Sequence, residues 1–158
     1  MIIGNPDNFA VYIDKVNEWN DISDIWLNGI CAFYIKTKLI PKEFLSHTIE
    51  LRTCLGGMAY NNLKKSDLKY SKFSIREILE ISIEKNIKGI YSLELLPDYN
   101  FIACLYIDYQ GFEHFIWTED SFNTIDKTTF ENKEISSVLQ MINNNLNNLI
   151  VLLTKEKL

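Results

Sequence analysis

The chain has few of the residues that bind metals or act as nucleophiles. It contains two histidines, His47 and His114, and three cysteines, Cys31, Cys54 and Cys104, among 158 residues. No Cys-x-x-Cys motif and no pair of histidines one helical turn apart is present, so the spacing of a zinc site is missing. An odd number of widely separated cysteines is typical of reduced, buried thiols in the cytosol. We therefore predict no metal, no cofactor and a cytoplasmic location.

Long hydrophobic runs and a basic N-terminal segment are also missing. No stretch reaches the roughly 20 apolar residues that cross a bilayer, and residues 1–6 carry none of the basic side chains that begin a secretory signal. The composition, 47% hydrophobic and 23% charged, is that of an ordinary globular protein. Residues 1–158 are therefore predicted to form a single domain with no membrane partner.

Positive charge is absent from one long stretch of the chain. Residues 89–126 contain seven acids and no lysine or arginine, and the net charge of the whole chain is -5. The acids are Glu94, Asp98, Asp108, Glu113, Glu119, Asp120 and Asp126. A protein that binds nucleic acid needs a basic surface to displace counterions from phosphates, so nucleic acid is excluded as the expected partner.

Large aromatic residues alternate with these acids. Carboxylates accelerate the encounter with a basic protein and aromatic rings supply buried anchors, so the stretch predicts a surface that binds a basic protein partner. In the alternative reading, the rings form the core and the acids are balanced by lysines such as Lys64, Lys65 and Lys72. A second acidic run, which surrounds Trp19, has a similar character and could equally be a solvated loop. The predicted partner contacts are Trp19, Asp21, Asp98, Asp108, Glu113, Trp117, Glu119 and Asp120.

Hydrophobic alternation predicts six strands. They are expected at residues 9–14, 29–35, 38–40, 90–95, 101–108 and 112–118. The second and third are predicted to form a hairpin at Lys36-Thr37, although that turn lacks glycine and asparagine. The last three follow one another through short turns and predict an antiparallel meander.

Helical periodicity appears in three places. Residues 49–63 have helical spacing, and Ser74 followed by Glu77 is a capping box that predicts the start of a second helix. Apolar residues repeat in steps of three and four from Ile135 to Leu153 and predict a long C-terminal helix packed on the sheet. The predicted fold is a single α+β domain, in which helices pack on an antiparallel sheet.

The turn at Gln110-Gly111 leaves two registers open for the last two strands. A two-residue turn places Asp108 opposite Glu113, where like charges destabilise the sheet. Asp108→Asn or Glu113→Gln is then expected to leave the domain equally or more stable. A three-residue turn with Gly111 in the left-handed conformation offsets the two carboxylates.

One pair of residues has the chemistry of a nucleophile and its base. Cys104 and His114 fall on neighbouring predicted strands, so a small Cys/His hydrolase is one alternative. Cys104 is flanked by Ile102 and Leu105, however, and burial raises a thiol pKa and makes the thiol inert. We therefore predict a binding protein without catalytic residues.

The first third of the chain carries a family resemblance. Residues 2–10 read Ile-Ile-Gly-Asn-Pro-Asp-Asn-Phe-Ala, and Trp26, Gly29 and the apolar run at residues 31–35 follow. Together with residues 108–117, this pattern resembles the bacterial immunity protein 42 family. Members of that family are small cytosolic proteins, encoded beside toxins of contact-dependent growth inhibition and related polymorphic systems, which they bind and neutralise. The resemblance implies no catalytic residues.

These observations predict an immunity protein whose partner is the C-terminal domain of a cognate toxin. A nuclease is the toxin class that fits best, because its substrate cleft is basic and complements an acidic surface. The immunity protein is then expected to occlude the active or substrate-binding site of the toxin. The alternatives are an adaptor or chaperone-like binding domain that uses the same surface, and the Cys/His hydrolase.

Overall fold

The computed structural model describes residues 1–20, 25–93 and 100–155. They contain two antiparallel sheets and a long C-terminal helix, which confirms the predicted α+β class. Residues 1–61 and 138–158 make up one compact unit, the first unit, and residues 62–137 make up the second unit. That residues 1–158 form a single domain stays a prediction.

The sheet of the first unit has the strand order β1-β2-β3-β4, and β5 pairs with β3. All of these pairings are antiparallel. The strands are β1 (Ile2–Asn5), β2 (Phe9–Lys15), β3 (Asn28–Ile35), β4 (Lys38–Ile40) and β5 (Ile49–Glu50). The structure confirms the three strands predicted here, and it adds the short strands β1 and β5.

The turn between β3 and β4 confirms the predicted hairpin in a conformation that neither residue favours. Lys36 and Thr37 both have positive φ angles, 49° and 75°, as a two-residue turn of type I′ requires. Their backbone N–H groups donate to the carbonyl oxygens of Asn8 and Pro6, each at 2.9 Å. These bonds to the β1–β2 connection hold the turn without a glycine.

Helix α1 (Leu51–Met58) is shorter than the predicted helix at residues 49–63. Residues 49 and 50 belong instead to β5, and Glu50 caps the helix, because its Oε2 accepts from the backbone N–H of Thr53 at 2.8 Å. The buried residues of α1 are Leu51, Cys54, Leu55 and Met58, one face of a helix. This face packs beside β3.

The predicted C-terminal helix is confirmed as α3 (Glu134–Lys155). The residues that it buries most completely are Ile135, Val138, Leu139, Ile142 and Leu153. In the first unit, α3 lies against the edge strand β1, in agreement with the prediction that it packs on a sheet.

The second unit contains the predicted meander, with strand order β6-β7-β8-β9. The strands are β6 (Ile90–Ser92), β7 (Ile102–Ile107), β8 (Glu113–Thr118) and β9 (Asp126–Phe130). The last of these was not predicted, because its sequence Asp-Lys-Thr-Thr-Phe has one apolar residue. The predicted strand at residues 90–95 and the turn after it extend into residues 94–99, which lie outside the described residues.

Helix α2 (Ile75–Glu84) covers one face of this meander. It begins as predicted at Ser74, whose Oγ accepts from the backbone N–H of Glu77 at 3.1 Å, while Glu77 Oε1 accepts from the Ser74 hydroxyl. Its buried residues Ile78 and Leu79 join a hydrophobic core formed with Tyr70, Ile90, Cys104, Tyr106 and Ile116. The sheet that contains β8 is thus packed against a helix, and the predicted partner contacts at the ends of β8 lie on this sheet or next to it.

Candidate partner-binding surface

The β7–β8 hairpin has the register of the three-residue turn. Ile107 pairs with Glu113, so the register that places Asp108 opposite Glu113 is wrong. The reason lies in the turn: Gly111 has a φ of 97°, and the Asp108 N–H donates to the Phe112 carbonyl at 3.0 Å. The two carboxylates are therefore offset, as the second alternative predicted.

The Asp108 carboxylate is held from three directions. Its Oδ1 accepts from the backbone N–H groups of Gln110 at 2.9 Å and Phe112 at 3.0 Å. Its Oδ2 lies 2.9 Å from His114 Nε2, and the other ring nitrogen of His114 lies 2.8 Å from the Thr129 hydroxyl. Because a carboxylate only accepts, Nε2 carries the proton in this pair. The partner of Asp108 is therefore a histidine rather than one of the lysines considered above.

An aromatic pocket opens beside this pair, with a volume of about 200 Å³. Its residues come from the segment before α2, from α2 itself, from the β7–β8 hairpin and from β9. They are Tyr70, Ser71, Phe73, Ile75, Ile78, Tyr106, Asp108, Tyr109, His114, Ile116 and Lys127. We call this group the aromatic pocket; it combines the carboxylate and the aromatic rings that the sequence predicted at a partner site.

Glu113 lies at the end of the same hairpin, but its side chain is buried, with 1% exposed. Its Oε1 accepts from the backbone N–H groups of Ile135 at 2.9 Å and Ser136 at 3.0 Å, in the first turn of α3. A carboxylate in this position satisfies two N–H groups that the helix leaves unbonded and complements the positive end of the helix dipole. Direct contact of Glu113 with a partner stays a prediction that requires these bonds to break.

The connection between β8 and β9, residues 119–125, is the acidic loop. Asp120 organises it: its Oδ1 accepts from the Thr124 N–H at 2.7 Å and from the Thr118 hydroxyl at 2.9 Å. The hydrogen bond from the Thr124 backbone is the main reason why the pKa of Asp120 lies below its ordinary value. Thr118, which is fully buried, also accepts from the Phe122 N–H at 3.0 Å.

Two residues of the acidic loop have left-handed backbones. Ser121 and Phe122 have φ angles of 54° and 70°, which are uncommon for residues with a side chain. Arg76 of α2 holds this part of the loop, because its guanidinium donates to the Phe122 carbonyl at 2.6 Å and lies over the Phe122 ring. Ser121 is further bonded to Asn100 at 2.8 Å. These contacts stabilise the left-handed conformation of the loop.

The predicted contacts do not form one cluster. Asp108 lies in the turn before β8, and Glu119 and Asp120 follow the other end of that strand. The two groups are therefore separated by at least the length of this six-residue strand, roughly 17 Å at about 3.4 Å per residue. Trp117 lies between them and is buried, with 8% exposed. In the first unit, Trp19 is half-buried at the end of a 3₁₀ turn. Asp21 and Asp98 lie outside the described residues.

The described residues give little support to a nucleophile at Cys104. Its side chain is fully buried, and this burial raises the thiol pKa to about 12. It pairs with Ile116 rather than His114. No group of three or more metal-binding side chains occurs in the part of the chain that the structure describes. Over the same residues, no helix is long and apolar enough to span a membrane.

Comparison with known proteins identifies relatives of this fold. The crystal structure of CdiI from Burkholderia dolosa AUO158 superimposes with a TM-score of 0.63 over 90% of this chain and 97% of that chain. The two sequences are 18% identical, so this likeness concerns the fold. No curated protein matches the sequence.

The family comparison covers most of the chain. The sequence model of immunity protein 42 matches residues 1–145, which include both sheets, α1, α2 and the first half of α3. This family match indicates a toxin-neutralising role. This chain belongs to the immunity protein 42 family.

Proposed function

We propose that this chain protects its producer by binding a nuclease toxin and covering the active or substrate-binding site of that toxin. The observation that supports the immunity role is the match of the immunity protein 42 family to residues 1–145. The choice of a nuclease is supported by the excess of acids in residues 89–126, because a cleft that binds nucleic acid is basic. The complex forms in the cytoplasm.

The accessible acids of the second unit are the contacts that we propose first. Asp108, Glu119 and Asp120 are partly exposed. Hydrogen bonds hold the carboxylates of Asp108 and Asp120 in position, so little conformational entropy is lost when a basic partner binds these two. Trp19, Asp21 and Asp98 are further proposed contacts. Glu113 and Trp117 support the same strand from inside, where Glu113 anchors the start of α3 and Trp117 fills the core.

The test is reconstitution with the toxin domain encoded beside this gene. The purified chain should bind that domain in a fixed ratio and abolish its cleavage of DNA or RNA, and excess nucleic acid should compete with the chain for the toxin. A complex that leaves the nuclease fully active would contradict occlusion. A toxin that cleaves no nucleic acid would overturn the assignment to nucleases but leave the immunity role.

A substitution at Cys104 distinguishes neutralisation by binding from neutralisation by a Cys/His hydrolase. Cys104→Ala removes the thiol from a buried position, and protection should persist in full as long as the variant remains folded, because neutralisation requires no nucleophile. Folding is checked by circular dichroism. Loss of protection in a folded variant would favour the hydrolase.

A further inference from the structure

We infer that the aromatic pocket of the second unit receives an arginine side chain of the toxin. This inference deepens the proposed function and rests on it. The cavity of about 200 Å³ is smaller than the pockets that hold drug-sized ligands, and its size suits a single side chain.

The carboxylate of Asp108 has one hydrogen-bonding position left for a ligand. A carboxylate offers about four acceptor positions. The backbone N–H groups of Gln110 and Phe112 occupy two on Oδ1, and His114 Nε2 occupies one on Oδ2. The remaining position on Oδ2 belongs to a side chain that lines the pocket and is 15% exposed. Asp108 is thus a fixed acceptor in the lining of the pocket.

Aromatic rings form the walls on which a guanidinium can stack. Phe73 and Tyr109 are 37% and 43% exposed, although both line the cavity, and Tyr70 and Tyr106 lie deeper. One of these rings already contacts a cation of this chain, because Lys69 Nζ lies 5.1 Å from the centre of the Tyr70 ring. Arginine combines a planar face for stacking with several N–H donors, so it fits rings beside a carboxylate better than lysine does.

One carboxylate and one lysine line the pocket, Asp108 and Lys127, and they differ in how firmly their charged groups are held. Lys127 is an exposed residue of the edge strand β9, and a lysine there keeps its ammonium group in water. Asp108, in contrast, is held by three hydrogen bonds. A cationic ligand therefore gains a preorganised partner, whereas an anionic ligand would meet the Asp108 carboxylate.

The pocket can be tested on the isolated protein with N-acetyl-argininamide as the probe. In an NMR titration, the probe should shift signals of Tyr109 and Phe73 in a saturable manner, and the uncharged N-acetyl-citrullinamide should not. Asp108→Asn retains an oxygen that accepts from Gln110 and Phe112, but it should weaken probe binding by about tenfold or more, as expected for a bond between charged groups. Lys127→Gln should strengthen binding, because it removes a competing cation.

The matched control is Asp126→Asn, which removes an exposed carboxylate of the same unit that does not line the pocket. It should leave probe binding unchanged. Equal binding of the probe by wild type and Asp108→Asn, or stronger binding of N-acetyl-glutamate than of N-acetyl-argininamide, would overturn the inference.

Toxin binding distinguishes this inference from the proposed function. Asp108→Asn should weaken the toxin complex by about tenfold or more, and excess probe should displace the toxin. If Asp108→Asn binds and neutralises the toxin as well as wild type does, the pocket is not an arginine site for the toxin but the proposed function stands. If wild type binds the probe but no toxin, the proposed function fails, and the pocket binds free arginine-like cations alone.

Discussion

Three carboxylates of the second unit, those of Asp108, Glu113 and Asp120, accept hydrogen bonds from backbone N–H groups. Each therefore shapes the chain before any partner arrives: Asp108 closes the β7–β8 turn, Glu113 holds the start of α3, and Asp120 folds the acidic loop. The sequence identifies these residues as acids in a stretch without cations. The role of Glu113 depends on a distant residue, Ile135, which sequence spacing does not reveal, whereas Asp108 and Asp120 accept from backbone groups within four residues.

Removal of the Glu113 carboxylate should destabilise the protein. Glu113→Ala deletes the acceptor for Ile135 N–H and Ser136 N–H in a buried site, and we expect a loss of about 2–4 kcal/mol of unfolding free energy. Glu113→Gln keeps one acceptor oxygen but loses the negative charge at the helix start, so it should cost about 1 kcal/mol. Glu113→Gln is therefore expected to be less stable than wild type, whereas the two-residue turn predicted equal or higher stability. Urea denaturation measures both variants.

The control for Glu113 is Glu131→Ala, which removes an exposed carboxylate of the same unit and should change stability by less than about 0.5 kcal/mol. A Glu113→Ala variant as stable as this control would show that the first turn of α3 does not depend on the buried acceptor.

The acidic loop should respond to pH through Asp120. Because its folded pKa is lowered, the ionised side chain stabilises the loop above its unfolded pKa of about 3.9, and this contribution is lost as pH falls through the folded value. Thr118→Val removes one hydrogen bond to the carboxylate and should raise the pKa. Carboxyl-carbon NMR titration measures both values. A wild-type Asp120 that titrates at or above about 3.9 would contradict the observed geometry.

At the scale of secondary-structure elements, the sequence correctly predicted features that depend on residues close together in the chain. The capping box at Ser74, the alternation in β7 and β8 and the three-four periodicity of α3 each act over a few residues, and all three predictions are confirmed. Strand β9 was missed because a polar edge strand is defined by its neighbour β8. The aromatic pocket was missed for the same reason, since Tyr70 and Phe73 meet Asp108 only in the folded chain.

The glycines of the first unit provide a prediction about α1. Gly56 lies inside the helix, has no unusual φ, and a Cβ atom built on it meets nothing within 4 Å. Gly56→Ala should therefore stabilise the protein by about 0.5–1 kcal/mol, because glycine loses more backbone entropy than alanine does on folding. Thermal or urea unfolding measures the change.

Gly29 is the matched contrast. A Cβ atom there would collide with the Asp14 carbonyl oxygen and approach Leu51 Cδ1 at 2.8 Å, so Gly29→Ala should destabilise the protein. If Gly56→Ala is also destabilising, the helical conformation of residues 51–58 is wrong.

At the scale of the whole molecule, the charge is divided along the chain and also in space. Residues 36–88 carry eleven lysines and arginines against six acids, whereas residues 89–126 carry seven acids alone. In the second unit, two basic residues approach the acidic stretch at defined points: Arg76 of α2 lies at Phe122, and Lys65, which precedes α2, lies at Gly111. Composition predicted an acidic surface, but it did not predict that the acids divide between the two ends of β8.

Electrostatic attraction should therefore control how fast the toxin is captured. The association rate should fall steeply between about 0.1 M and 1 M salt, because the Debye length shrinks from about 10 Å to about 3 Å. Glu119→Gln and Asp126→Asn remove partly or fully exposed acids, so each should lower the rate at low salt and reduce its salt dependence. Lys133→Gln, which removes an exposed cation of the same unit, should act in the opposite direction. Stopped-flow mixing with the toxin domain provides the rates. A rate that does not change with salt, or that falls equally for Glu119→Gln and Lys133→Gln, would mean that capture depends on shape and apolar contacts rather than on the acids of residues 89–126.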